Sequence, residues 1–387
     1  MGVVSPPMRE RGRALDPEGD REQRDDVAVQ HGPGRRRVLL TWGLSMVGGA
    51  LLLVLASQRL EVIPSSIEIL RPELFVWAIA LHLPYAVIRA LRLRYALDPL
   101  VRAHSGGGLE RLPPRVLYGS GWLSFAVIML LPLRLGELSR PLLLQRAQIP
   151  GVGLGEAISA VATERVVDGL MVVCLLFGGL ALAAPSAGAA ALAEVRAIGQ
   201  LMAVIFGVAL GAVIMISRAP ERAIFWLRLG PRPASLVRRL AAAIQPLGRP
   251  AQGLPFLAWS LIYWAITVTQ LWLCARACGL DLGAAEAAAL VATIGLSIQL
   301  PGGPAQAGSF QVGAAAGLSL FVGASASGAL EGPATNFSAL MYLLSLGGTF
   351  FLALPGAWLL RPRRFSGSRL GSQAGRDARP DQERRAL

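Results

Sequence analysis

The sequence predicts an all-α, polytopic integral membrane protein with about six full spans and two broken or re-entrant segments. Three observations carry that prediction. Charged residues are 16% of the 387-residue chain and hydrophobic residues 53%, with a mean hydropathy of +0.52, whereas a soluble domain carries roughly 25% charge. The apolar residues fall in long unbroken runs, not in the ~10-residue alternating segments of a barrel. Glycine (44 residues) and alanine crowd these runs while aromatics are only 6%, which suits helices packed closely in lipid. Such a composition excludes a soluble enzyme, a disulfide scaffold and a disordered regulator.

Three regions follow in order. Residues 1–36 are polar, Pro/Gly-rich and charge-mixed, the composition of a disordered cytoplasmic arm without a secretory signal. Residues 37–361 form the membrane domain. Residues 362–387 are a second Arg-rich, disordered cytoplasmic tail. A spanning helix needs about 20 apolar residues. The candidates are Val38–Ser57, Leu74–Leu91, Val116–Leu133, Val166–Ala184, Ala197–Ser217, Leu254–Ala275, Ala284–Leu300, Gly308–Val322 and Phe337–Leu360.

Arginine sets the orientation. All 37 basic residues are Arg, and the formal charge is +13. They lie mainly between apolar runs, so they mark topology and not a nucleic-acid footprint. The flank Arg35–Arg37, the loop holding Arg92, Arg94, Arg102, Arg111 and Arg115, the loop from Arg218 to Arg249, and the flank Arg361–Arg364 are all expected on the cytoplasmic side. Both termini of this multi-pass protein of the cytoplasmic membrane are then cytoplasmic. Parity adds a condition. Three apolar runs separate the two Arg-rich central loops, so the first, broken at Pro132, must dip in and return to the same face. The pair Ala284–Leu300 and Gly308–Val322 is interrupted by Pro301-Gly302-Gly303-Pro304. A re-entrant hairpin from the outer side is as economical there as two crossings. Opposed broken segments in two halves mark inverted-repeat transporters and point to the substrate site, although no residue-level repeat is visible.

Two charged clusters carry the candidate chemistry. Around the first break stand Arg134, Glu137 and Arg140; downstream, opening the next apolar run, stand Glu164, Arg165 and Asp168. Charge at membrane depth is costly unless paired or wetted, and is a functional hypothesis by default. On helices, Arg134–Glu137, Glu137–Arg140 and Arg165–Asp168 are i,i+3 pairs, and Glu164 and Asp168 share a face. Arg suits bidentate recognition of phosphate. The site would therefore turn Arg134, Arg140 or Arg165 toward a lipid phosphate, with Glu137, Glu164 and Asp168 fixing their orientation. The two clusters carry net charges of +1 and −1 and are expected to face each other. The alternative makes both clusters interfacial charges that snorkel and mark helix ends; crossing parity and Asp168, inside the apolar stretch, favour a site.

The second break, with Pro301, Gly302, Gly303, Gly308 and Gln311, has no charge. Irregular backbone survives at depth only when buried in protein or lining a wet cavity; the alternative is an ordinary outer turn. Cys174, Cys274 and Cys278 have neither disulfide nor metal spacing, and His31, His82 and His104 are scattered, so neither metal nor cofactor is expected. Gly151–Gly155 resembles a phosphate loop but follows no strand. His82 beside Pro84 suits a kink, and Ala223–Ala243, interrupted by Pro231 and Pro233, suits an interfacial helix on anionic lipid.

Taken together, these motifs resemble the lysylphosphatidylglycerol synthase transmembrane family, the flippase-like membrane domain. Its Arg-x-Gly-Glu-x-x-Arg segment after a Pro is matched by Arg134, Gly136, Glu137 and Arg140. Its Glu-Arg-x-x-Asp is matched by Glu164, Arg165 and Asp168, and its late Pro-Gly motif closing on Gly-x-Phe-Gln by Pro301, Gly308, Phe310 and Gln311. The resemblance spans roughly Arg36 to Leu360 and implies a lipid-translocase-like domain. Members that aminoacylate lipid carry a large soluble domain behind the membrane part. Only 27 residues follow Leu360 here, so synthase activity is expected to be absent.

The leading expectation is a translocase of lipid or lipid-linked substrate, with membrane lipids as partners: anionic phospholipid or polyprenyl-linked, and no nucleic acid. The alternatives are a membrane glycosyltransferase using a polyprenyl-phosphate donor, with Glu61, Glu68 and Glu73 in its first outer loop, and a non-catalytic accessory subunit.

Overall fold

The computed structural model describes residues 35–64, 66–183, 189–300, 302–322 and 332–361. The predicted arm and tail, and Pro301, lie outside the described residues. From Leu44 the chain forms one compact unit; of the preceding unit, only Arg35–Gly43 is described, as the opening turns of the first helix.

Six stretches among the described residues are long and apolar enough to cross a membrane. They are α1 (Arg35–Ser57), the pair α2 (Pro72–Ala80) and α3 (His82–Leu91), α7 (Leu154–Leu182), α8 (Ala189–Arg218), α11 (Pro250–Ala277) and α14 (Pro333–Leu359). The division of the second span at Leu81 follows from Pro84, which has no N–H to give the Ala80 carbonyl. Proline stands in the first turn of α2, α11 and α14, where its fixed φ is preorganised and its missing donor costs nothing. Outward-facing Leu51 on α1, Val204 and Val208 on α8, and Phe351 and Leu354 on α14 are exposed, as lipid-facing side chains are. The chain is thus an all-α, multi-pass membrane protein.

Between the spans lie two helical hairpins. The first is α5 (Pro114–Leu130), a 3-10 segment (Pro132–Leu138) and α6 (Ser139–Arg146). Its return limb is antiparallel to α5. A Cβ on Gly136 would fall 2.4 Å from Ile128 Cα, Ser139 donates to the Ser124 carbonyl at 3.5 Å, and the Arg140 guanidinium lies against Gly121. The second pairs α12 (Ala284–Ser297) with α13 (Ser309–Leu318), Gly313 facing Ile294 and Gly317 facing Leu290. At 1.5 Å per residue these two helices run only about 21 and 15 Å, short of the ~30 Å hydrocarbon core. Re-entry, left open by parity, is therefore what this pair does.

The hairpins enter from opposite ends. The base of the first, Val116, Leu117 and Leu144, shares a buried cluster with Leu97 and Val101 of α4 (Arg94–His104) and with Val152; Leu247, just before α11, packs on it. The base of the second, Ala287 and Leu318, packs with Leu60, Cys278, Leu282 and Ala334, beyond the other end of α11. The order span, span, hairpin, span is then completed once by α7 and again from α8 to α14, in opposite sense. That is the inverted arrangement anticipated from hydropathy.

One expectation is corrected. The predicted run Val166–Ala184 is the later part of a helix that begins at Leu154, so Glu164, Arg165 and Asp168 do not open the helix but lie about three turns inside it. Ala223–Ala243 is interrupted as expected: α9 (Pro220–Trp226) ends and α10 (Pro231–Ile244) begins at Pro231.

Candidate functional site

Helical periodicity assembles the site from four elements. On α3 and its cap, Tyr85, Arg89 and Arg92 follow at i, i+4 and i+7, one face of the helix. On α7, Glu164 and Asp168 are one turn apart. On α11, Ser260, Tyr263, Trp264 and Thr267 repeat that spacing, and the first hairpin supplies Glu137 and Arg140.

Arg92 is the hub. Its side chain is fully buried and donates through Nη1 to Asp168 Oδ1 at 2.6 Å and to Ser260 Oγ at 3.1 Å. Nη2 donates to Asp168 Oδ2 and Glu164 Oε1, both at 2.9 Å. Arg140, also buried, donates to Glu164 Oε2 at 2.9 Å and to the Ala90 carbonyl at 3.1 Å. The Trp264 indole donates to Asp168 Oδ1 at 3.3 Å, and the Tyr263 ring lies 4.4 Å beneath the Arg92 guanidinium. Two guanidinium groups and two carboxylates thus form a neutral chain, Arg140–Glu164–Arg92–Asp168. Its neutrality and its charge-assisted bonds offset a desolvation that would be prohibitive for any one ion. Beside it, Arg165 pairs with Glu137 at 2.8 Å, both side chains partly exposed.

The two clusters therefore meet, through Arg140–Glu164 and Glu137–Arg165. The pairing differs in detail from the local scheme: Arg165 and Asp168 pair across elements, not with each other. Arg134 lies in the 3-10 segment, and its side chain is outside the described residues. The residue that sequence reasoning missed is Arg92, counted there among the loop arginines. The available signal was its register, one turn from Arg89 and two from Tyr85 on an apolar helix.

This network borders a cavity of about 540 Å³. Glu137, Arg165 and Asp168 line it, with Tyr85 and Arg89 of α3, Tyr263 and Trp264 of α11, and Ile294 and Gln306 of the second hairpin. Both hairpin tips reach it.

The second break has a structural role. Gly302 accepts from Ser45 Oγ at 3.0 Å, and a Cβ on Gly49 would fall 2.5 Å from Gly303 Cα. Gly308, at φ +84°, touches α1 so closely that its own Cβ would be 2.5 Å from the Gly49 carbonyl oxygen. Glycine is therefore required on both sides of this contact. Gln311 closes the loop by accepting from the Gly308 N–H at 2.9 Å, capping α13. Tyr342 donates to the Ala305 carbonyl at 3.0 Å. The backbone freed by the break is satisfied by protein, as depth in a membrane demands.

Neither a curated protein nor a solved structure matches the chain. One family does: the lysylphosphatidylglycerol synthase TM region, over residues 38–331. That stretch holds both hairpins, the ion network and most of the cavity lining, to which α14 adds Met341, Ser345 and Thr349. With three-quarters of its length matched and the charged motifs joined in one site, the chain belongs to the lysylphosphatidylglycerol synthase TM region family.

Proposed function

We propose that the protein translocates a phosphate-bearing lipid, an anionic phospholipid or a polyprenyl-linked one, across the cytoplasmic membrane. The observation that carries this reading is the cavity, lined from both opposed hairpins and by ionised side chains. A headgroup needs a polar passage at a depth where lipid tails offer none. Opposed re-entrant segments are the parts that open such a passage alternately to each side. In this reading Glu137, Arg165 and Asp168 line the headgroup path. Arg140 and Glu164, buried behind them, hold the first hairpin to α7 and keep that wall in place. The loops around residues 92–115 and 218–253, and both termini, face the cytoplasm, following their arginine content.

The test is reconstitution into liposomes holding phosphatidylglycerol with a headgroup-proximal fluorophore, read by reductive quenching of the outer leaflet. Protein-containing vesicles are expected to lose fluorescence from the inner leaflet as well, and Asp168→Ala vesicles to lose much less. Inner-leaflet protection equal to that of empty liposomes, across phospholipid and polyprenyl-phosphate substrates, would overturn the proposal.

A further inference from the structure

The charges around the cavity do not sum to zero. Among the described side chains, four arginines (Arg89, Arg92, Arg140, Arg165) face three carboxylates (Glu137, Glu164, Asp168). Glu164 and Asp168 are taken by Arg92 and Arg140, and Glu137 by Arg165. Arg89 is left over. It lines the cavity, and no described carboxylate lies within ion-pair distance of it. Its polar partner is the Tyr85 hydroxyl at 3.2 Å. The Phe125 ring lies 3.7 Å from its guanidinium carbon, and the Tyr85 ring 5.9 Å.

This arrangement presents donors and no acceptors. The guanidinium sits over the Phe125 ring and gives one N–H to Tyr85; the remaining N–H groups form the fork that suits a phosphate. The Tyr85 hydroxyl oxygen accepts from Arg89 at 3.2 Å and keeps its own proton as a second donor beside the guanidinium. Each carboxylate on the cavity is already held by arginine, so an ammonium group entering would find no free counter-ion. A phosphate would find two donors and a net charge of +1.

We infer that Arg89, with the Tyr85 hydroxyl, is the anchor for the phosphate of an anionic lipid headgroup, and that the cavity selects headgroups without a cationic group. The inference rests on the lipid-translocation reading and narrows it: a lysyl-modified or zwitterionic headgroup is disfavoured. It assigns specificity to a residue outside the motif clusters.

Binding at equilibrium tests it without transport. The purified full-length protein in neutral detergent is titrated with phosphatidylglycerol, phosphatidylcholine, lysyl-phosphatidylglycerol and inorganic phosphate, and bound species are counted by native mass spectrometry. Wild type is expected to bind phosphatidylglycerol about tenfold more tightly than the two lipids with cationic headgroup nitrogens, with Arg89→Gln removing that preference and Arg89→Lys keeping part of it. Tyr85→Phe should weaken phosphatidylglycerol binding alone. Equal binding of all three lipids by wild type overturns the inference, a result that needs no variant and stands even if Arg89→Gln does not fold. Preference unchanged in a folded Arg89→Gln overturns it too. So does inorganic phosphate binding as tightly as the lipid, which would make the ligand a free anion. If lipid selectivity and its loss are seen while the liposome assay shows no exchange, translocation fails and the anchor stands.

Discussion

Replacing Arg92 by methionine removes the cation between two buried carboxylates while keeping an unbranched stem. Four hydrogen bonds go with it: two to Asp168, one to Glu164 and one to Ser260. Glu164 keeps Arg140, but Asp168 is left with the Trp264 indole at 3.3 Å, and the four-membered network changes from neutral to −1. Losing one partner of a buried pair costs about 3–5 kcal/mol, because the other charge stays behind. Against a typical stability of about 5–15 kcal/mol, this is a large fraction. The double variant Arg92→Met/Asp168→Leu removes the stranded charge together with its partner. It should fall short of the sum of the single effects by roughly 1–3 kcal/mol. The assay is reversible unfolding in mixed micelles, followed by tryptophan emission. Arg238→Ala serves as control, because its pair with Glu221 is solvent-exposed and its loss should leave the midpoint where it was. An Arg92→Met midpoint indistinguishable from that of Arg238→Ala, with strict additivity in the double variant, would refute the reasoning.

Two further outcomes are expected. Gly136→Ala puts a methyl 2.4 Å from Ile128 Cα and 2.5 Å from the Val127 carbonyl oxygen, so it should destabilise by about 1–3 kcal/mol; Gly178→Ala, whose Cβ meets nothing within 4 Å, should not, and the same unfolding assay compares them. In a background lacking Cys174, Cys274 and Cys278, Ser105→Cys and Ser235→Cys should react with an impermeant maleimide in inverted vesicles only, and labelling of either in intact cells would reverse the assigned orientation.

The spans and both breaks were legible because lipid imposes a simple rule on sequence: long apolar runs cross, and Pro/Gly interruptions do not. The predicted Val38–Ser57 and Leu74–Leu91 differ from the observed helices by only a few N-terminal residues. The rule failed where a helix is buried in protein and not in lipid. The first turns of α7, from Leu154 to Arg165, carry Glu156, Ser159, Thr163 and Glu164. Ser159 donates to the Leu240 carbonyl and Thr163 to the Ser159 carbonyl, both at 2.9 Å, and Glu164 accepts from Arg92 and Arg140, so no apolar run announces the helix. Arg92 was misassigned for a related reason. Its partners Glu164 and Asp168 are 72 and 76 residues away, beyond any local spacing, whereas Arg140 and Glu164 were each marked by clustered charge. Which residues are charged at depth can be read from a sequence; which pairs they form depends on helix packing.

The two hairpins differ in what holds them. The first is fixed by ions: Arg140 to Glu164 and the Ala90 carbonyl, and Glu137 to Arg165. Moving it away from α7 separates charges in a low-dielectric interior, where interaction energies fall slowly with distance and the penalty is high. The tip of the second rests on α1 through glycine contacts and a Ser45–Gly302 hydrogen bond, and on α14 through the Tyr342–Ala305 bond, all uncharged. Close packing of this kind is short-ranged, each atom pair contributing only about 0.1–0.2 kcal/mol, so parting the surfaces leaves no bare charge. The sequence, neutral and glycine-rich at one break and densely charged at the other, thus places unequal restraints on two halves of like topology. Parting the second tip from α1 would therefore break close packing and neutral hydrogen bonds alone, and leave the ion network on the first side whole.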